Sequence, residues 1–241
     1  MSQTLGILYM QTRVSFRNWW SYVVVSLIPI SYYLVFSLIG GGSLGDHVLL
    51  GYVISLTSNI GVVALPQAVV LNKLSRFEEM MVASPISPLA YMLGFALARL
   101  VFTLPGIGVV LALLLTTSRV QPLHVFPLLG MVAVTWLVAS MIGFTLGTYI
   151  QRVQSVGPIS NLVGYALMLI PPVLYPASLI ADPWRPFALL VPTSSAAYLM
   201  RGLLGLDATL PHEIWIAVGV LVFYLTGGVW MVARKSRWRE R

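Results

Sequence analysis

The chain contains no cysteine. That excludes disulfides, iron–sulfur clusters and Cys-based zinc sites, and it leaves the redox compartment unreadable. Its three histidines, His47, His124 and His212, stand far apart and without metal-ligand spacing. Charge is scarce too: only 9% of the 241 residues are charged, against roughly 25% in an ordinary soluble domain. Two lysines are present, and no Gly-x-x-x-x-Gly-Lys-Ser/Thr run, so the chain cannot itself be a P-loop ATPase. No cleavable signal is evident; the first long apolar run starts near Tyr22 with no convincing small-residue cleavage site behind it.

What is there is apolar. Hydrophobic residues make up 58% of the chain and the mean hydropathy is +0.89, so the bilayer is the natural solvent. A spanning helix needs about 20 mostly apolar residues, and six such stretches fit: 21–40, 48–71, 89–115, 125–149, 157–180 and 212–233. Together they fill one membrane domain, 1–241, with no room for a soluble one. Most linkers are short: 41–47 is Gly-rich, 116–124 polar and 150–156 Gln/Arg-bearing. Ahead of the first span, residues 1–20 contain an amphipathic interfacial helix, with Leu5, Tyr9, Thr12, Phe16 and Trp19 on one face and Arg13 and Arg17 on another. The long apolar segment 181–211, reached after Pro171-Pro172 and Pro176 break the fifth span, reads as a re-entrant-type helical hairpin before the last span. The fold class is therefore all-α membrane protein.

The net charge is +7, but five of the fourteen basic residues lie in the last eight positions. That suits a membrane-flanking tail rather than nucleic acid. With the N-terminus inside, one side collects Arg13, Arg17, Lys73, Arg76, Arg152, Arg234, Lys235, Arg237, Arg239 and Arg241, and the other only Arg119, Arg185 and Arg201. The bias predicts both termini in the cytoplasm, and with them the segment 72–88 and the turn Gln151-Arg152-Val153-Gln154.

Segment 72–88 packs Lys73, Arg76, Glu78 and Glu79 into seven residues of a greasy chain. Leu74, Phe77 and Met81 share one helical face, and Pro85 and Pro88 end the helix. A short amphipathic helix of this kind fits a groove on a soluble partner.

Other constellations carry less. Gly41-x-Ser43-x-Gly45 matches a hydrolase pattern but sits in a turn between membrane helices, without the strand–turn–helix setting that chemistry needs. Glu78-Glu79 is similar to the paired glutamates of certain intramembrane proteases, but Ala83 stands where an Arg is needed and no His lies within a span. Arg99 is the one charge well inside a span: a counter-charge for an anionic substrate, or a side chain that snorkels to the headgroups. Asn59, Gln67, Asn161 and Tyr165, with Tyr175 beyond, mark the second and fifth spans as pathway candidates, or as helix–helix glue. Gly143-x-x-x-Gly147 marks close helix packing.

The run from Arg76 through Glu79 and Ala83-Ser84-Pro85-Ile86-Ser87-Pro88 to Tyr91-Met92-Leu93-Gly94 resembles the ABC-2 family of transporter permeases. So do Pro171-Pro172-Val173-Leu174-Tyr175-Pro176 and Pro192-Thr193 through Arg201-Gly202, in the same order along the chain. The resemblance implies a drug-resistance-permease-like half-transporter: a homodimer in the cell membrane with two separate ABC ATPase subunits, which bind the ATP and Mg, so this chain needs no cofactor and is not an enzyme. It implies a coupling helix at 72–88, with Arg76, Phe77, Glu78, Glu79, Met81, Ser84 and Pro85 as contacts and Gln151 and Arg152 as a lesser one. The function so implied is export of a hydrophobic or amphiphilic cargo, a drug-like compound or a lipid-linked molecule. The alternatives are a non-transporting assembly or regulatory subunit and an ion-coupled secondary transporter. The latter is disfavoured because the spans read as free of Asp and Glu relays.

Overall fold

In lipid, backbone polar groups must be satisfied within the chain, and helices do this locally. The computed structural model describes residues 19–73, 86–117, 121–181 and 184–236, together with 6, 8, 9 and 12, and all regular structure among them is helical. In chain order the elements are α1 (Trp19–Asn59), a π turn (Ile60–Ala64), α2 (Leu65–Lys73), α3 (Pro88–Thr117), α4 (Val125–Tyr149), α5 (Val153–Leu169), α6 (Arg185–Ala188), α7 (Pro192–Leu203) and α8 (Pro211–Arg234). Short 3₁₀ turns lie at Pro122–His124 and Ala177–Leu179. Of the expected interfacial helix, Gly6, Leu8, Tyr9 and Thr12 are helical, and the Thr12 hydroxyl donates to the Leu8 carbonyl at 2.6 Å. The other residues up to 18 lie outside the described set.

Four stretches are long and apolar enough to cross a membrane: Gly45–Lys73, Pro88–Thr116, Val125–Tyr149 and Pro211–Arg234. Ser26–Ile39 is a shorter apolar helix. The fifth expected span, 157–180, is a 17-residue helix that stops at Leu169, just before Pro171-Pro172 removes two backbone donors. Segment 181–211 holds the single turn α6 and the 12-residue α7.

The Gly-rich linker 41–47 is helical rather than irregular, within the 41-residue α1. That helix is not straight. A straight one would hold Tyr32 and Tyr52 about 30 Å apart, yet their ring centroids are 5.4 Å apart, and Gly45 lies against the ring of Tyr33. The chain therefore reverses between Ser37 and Gly45, and α1 is two helical arms laid side by side.

The π turn has a local cause. Pro66 lacks an N–H and its ring crowds the carbonyl four residues back. The ladder widens just ahead of it, and the Leu65 N–H reaches the Ile60 carbonyl, five residues away. This widened turn packs on α4 at backbone contact. A Cβ on Gly143 would overlap the Gly61 carbonyl, and one on Gly147 would lie 2.9 Å from the Pro66 Cα. Helices in lipid gain little from hydrophobic burial against one another, and small residues supply the close approach instead. The Gly143-x-x-x-Gly147 reading thus holds.

Two cores stack along the bundle. Leu49, Leu50, Val53, Ile107, Leu114, Leu128, Val173 and Ala197 form one, towards His47. Leu65, Val69, Tyr91, Met92, Phe95, Trp136, Phe144 and Val232 form the other, towards Lys73. The molecule thus has a His47 end and a Lys73 end.

Candidate functional site

Lys73 is the last residue of α2, and its ammonium reaches sideways to α4. It donates to the carbonyls of Thr148 at 2.8 Å, Gly147 at 3.1 Å and Ile150 at 3.4 Å. The last carbonyls of a helix have no partner within it, and a lysine here satisfies them while complementing the helix dipole. Beneath this cap Val70, Ile150 and Val156 form a small apolar cluster. Residues 74–85 follow and lie outside the described set, and with them Arg76, Phe77, Glu78, Glu79, Met81, Ser84 and Pro85. The chain returns at Ile86, which is buried in the Lys73-end core. Ser87 then caps α3, its hydroxyl accepting from the Ala90 N–H at 3.2 Å, with Pro88 at the first helical position. Gln151 and Arg152 are exposed and follow Ile150 directly, so the two expected contact elements start from one patch of the bundle.

The pathway candidates are less gathered. Gly164 of α5 meets Val63 of the π turn, so the second and fifth stretches do pack together. Their polar residues do not turn inward. Asn59 and Asn161 are exposed, Tyr165 is 60% exposed, and Gln67 is half-buried. Tyr175 is half-buried, its hydroxyl donating to the Ile170 carbonyl at 3.3 Å. Arg99 is half-buried on the α3 stripe that carries Met92, Ala96 and Thr103, and has no ion pair among the described residues.

At the His47 end the structure shows a constellation the sequence reading missed. Pro171 cannot bond the Leu167 carbonyl, and the Thr193 hydroxyl donates to it instead, at 2.6 Å. Arg201, fully buried, donates to the carbonyls of Pro172 at 2.9 Å, Tyr175 at 2.8 Å and Val173. Gly51 lets α1 touch that same Val173 carbonyl, where a Cβ would overlap it. Side chains of α7 thus take over the acceptors that the α5 prolines leave free. The two proline motifs, separate in sequence, are one unit in space. α7 itself starts on Pro192, and Gly205, just past its end, has a φ of +67° that allows the Leu206 N–H to return to the Arg201 carbonyl at 3.0 Å.

Charged groups surround this clamp. His47 pairs with Asp207 at 3.1 Å, and Arg185 with Glu213 at 3.2 Å. The Tyr198 hydroxyl donates to Glu213 at 2.5 Å and accepts from the Leu210 N–H at 2.9 Å. Burial pushes Arg201 down to about 10, with Asp207 opposing. Burial alone would raise the Asp207 carboxyl, but the hydrogen bond from His47 and the charges of Arg201, His47 and Arg185 together hold it below its ordinary value. The expectation of spans without acidic groups fails at Glu213, buried in the first turn of α8. It is already engaged by Arg185 and Tyr198. The signal available in the sequence was the pair Thr193 and Arg201, eight residues apart on one face of a short helix that follows a double proline.

Residues 41–234 match the family described as ABC-2 family transporter protein. The chain belongs to the ABC-2 transporter family. A search of curated proteins gives no match. The match spans the Lys73 cap, the whole of 72–88 and the sealed α5 break, so the ABC-2 assignment covers both ends of the bundle. As an ABC-2 permease with several membrane-crossing helices, this is a multi-pass membrane protein and a transport subunit.

Proposed function

We propose that this permease is the membrane half of an ATP-driven ABC exporter moving a hydrophobic or amphiphilic cargo. Two copies pair, each over a separate ABC ATPase that supplies ATP and Mg, and each copy crosses the cell membrane six times with both termini cytoplasmic. The observation that carries this is the anchoring of segment 72–88. Its first root, Lys73, is hydrogen-bonded to α4, and its second, Ile86, is buried beside α2, α3 and α4. A push delivered to the segment between them would move the bundle core rather than dissipate in a free loop. The reversal within α1 supports two spans there, and the α5 break, sealed by α7, supports a fifth. Charge supports the orientation: the described basic residues of the Lys73 end are Lys73, Arg152, Arg234 and Lys235, against Arg185 and Arg201 at the His47 end. The exposed Asn59, Asn161 and Tyr165 suit a pathway completed by the second copy. Arg99, Gln67 and Tyr175 remain the further candidates along it.

The test is co-expression with a candidate ABC ATPase subunit, followed by co-purification and a vesicle transport assay with a panel of amphiphilic cargoes. Glu78→Lys with Glu79→Lys should abolish cargo-stimulated ATP hydrolysis while the permease still elutes as a folded species. A double variant that assembles and transports like the parent would refute the coupling role.

A further inference from the structure

Between α4, α5 and α8 runs a groove of about 680 Å³, within the ~300–1,000 Å³ typical of small-molecule sites. Its walls include Met141, Thr145, Tyr149, Val163, Tyr224 and Trp230, and they are almost wholly apolar. None of the pathway candidates lines it. Gly228 brings α8 against Met141 of α4, and Gly227 beside it lines the groove, where an added Cβ would meet nothing within 4 Å. A bulky side chain at Gly227 would therefore extend into open space along the groove.

Three features identify the occupant. The first is length. On α4 the groove runs from Met141 to Tyr149 and on α8 from Phe223 to Met231, about 12 Å of helix in each case. One leaflet of hydrocarbon is about 15 Å deep. The groove thus matches a single acyl chain lying along the membrane normal, and it stops where a headgroup would begin.

The second is what stands at that stop. Arg234 lies three residues after Met231 and seven after Gly227, so it continues the groove-lining stripe of α8 by one turn. Lys235 follows, its ammonium 5.9 Å from the centroid of the Trp230 ring. Both basic residues are exposed, and neither has an ion pair among the described residues. The Tyr149 hydroxyl donates to the Lys235 carbonyl at 2.8 Å, fixing the end of α8 to the groove wall. The third is the charge around the site: Arg152, exposed, stands at the same end of the bundle.

We propose that this groove binds an anionic phospholipid of the surrounding membrane, with one acyl chain between α4 and α8 over Gly227 and the phosphate held by Arg234 and Lys235. The headgroup contact is electrostatic, and the apolar walls give the chain a fixed seat.

The full-length permease, reconstituted in phosphatidylcholine vesicles, tests this. The vesicles carry a trace of phosphatidylglycerol with a photoactivatable group midway along one chain, or of phosphatidylcholine with the same labelled chain. Crosslinks are mapped to peptides. The anionic probe should label the peptides containing Thr145 and Gly227 at least about fivefold more than the zwitterionic one, the ratio that ~1 kcal/mol, the worth of a single basic residue near the surface, gives. Arg234→Gln with Lys235→Gln should bring the two probes level. Gly227→Phe should remove groove labelling by both, whereas Gly130→Phe, which also projects into open space, should leave it unchanged. Equal labelling by the two headgroups in the parent overturns the proposal. So does groove labelling that survives Gly227→Phe, or labelling spread evenly over other exposed faces such as Leu34 and Leu38 of α1. The double glutamine variant decides the headgroup contact even if Gly227→Phe fails to fold.

Discussion

The two ends of this permease use cations in opposite ways. At the His47 end, Arg201 is buried with its guanidinium spread over three carbonyls, and His47, Arg185, Asp207 and Glu213 close around it in pairs. At the Lys73 end, one lysine caps α4, and Arg152, Arg234 and Lys235 are exposed. A broken helix in a bilayer exposes backbone acceptors with no water to meet them, so its end must be sealed from within the chain. An intact helix that ends at the headgroups needs only a light cap, because its neighbours there are polar. The first arrangement fixes a geometry, and the second leaves a surface free for something else to bind.

That contrast predicts unequal costs. The largest belongs to Arg201. Arg201→Met keeps much of the volume but strands the carbonyls of Pro172, Val173 and Tyr175 and removes one of the charges that hold Asp207 ionised. Removing one partner from such a buried set costs about 3–5 kcal/mol, so the variant should lose its folded elution peak at temperatures where the parent keeps it. Arg201→Lys should rescue little, since an ammonium cannot present the planar fork that three separated acceptors use. A melting profile like the parent's for either variant would show that the clamp is not what holds α7 to α5.

The next effect is pH-dependent and confined to the same end. Asp207 is held below its ordinary 3.8. A depressed carboxylate adds stability that is complete above the unfolded value and is lost as pH falls through the folded one. Titration of Asp207 should therefore leave stability unchanged between about pH 5 and 8 and contribute to acid loss only below about pH 4. Asp207→Asn should cost about 1.5–3 kcal/mol at neutral pH, the worth of a charge-assisted hydrogen bond, and should flatten the acid limb. Thermal melts of parent and variant across that range measure both. An acid limb unchanged in the variant would place the sensitive carboxylate elsewhere.

The ends also differ in how much could be read in advance. Composition shows a helical membrane chain, and prolines 171 and 172 mark where the fifth helix stops, because a missing N–H is a local fact. Gly143 and Gly147 mark a close contact for the same reason. The sequence places Arg201 in the outer hairpin 181–211, yet it is the most enclosed charge described. Its acceptors lie 26 to 29 residues away in sequence, and no periodicity links them. Asn59 and Asn161 show the converse limit. A polar group in a span must be satisfied, but whether it faces the core, lipid or a second copy depends on which side of its helix the neighbours occupy. The turn at 41–47 is legible as a reversal, and Gly45 lets the two arms approach closely at Tyr33.

The smallest change in stability should come at Lys73. Lys73→Met keeps the apolar stem against its neighbours and removes only the ammonium from a helix end, worth about 0.3–1 kcal/mol near the surface and somewhat more when partly buried. The melt should therefore shift far less than for Arg201→Met. If 72–88 transmits force through its roots, however, the same substitution should loosen the segment from α4 and lower cargo-stimulated ATP hydrolysis by the partner, with basal hydrolysis intact. Lys73→Arg, which can still donate to Thr148 and Gly147, should restore coupling. A fall in stability comparable to that of Arg201→Met would make Lys73 a structural seal like its counterpart, and the two ends would then be alike. A small melt shift with full coupling would keep the contrast in stability but remove Lys73 from the route by which the partner moves the bundle.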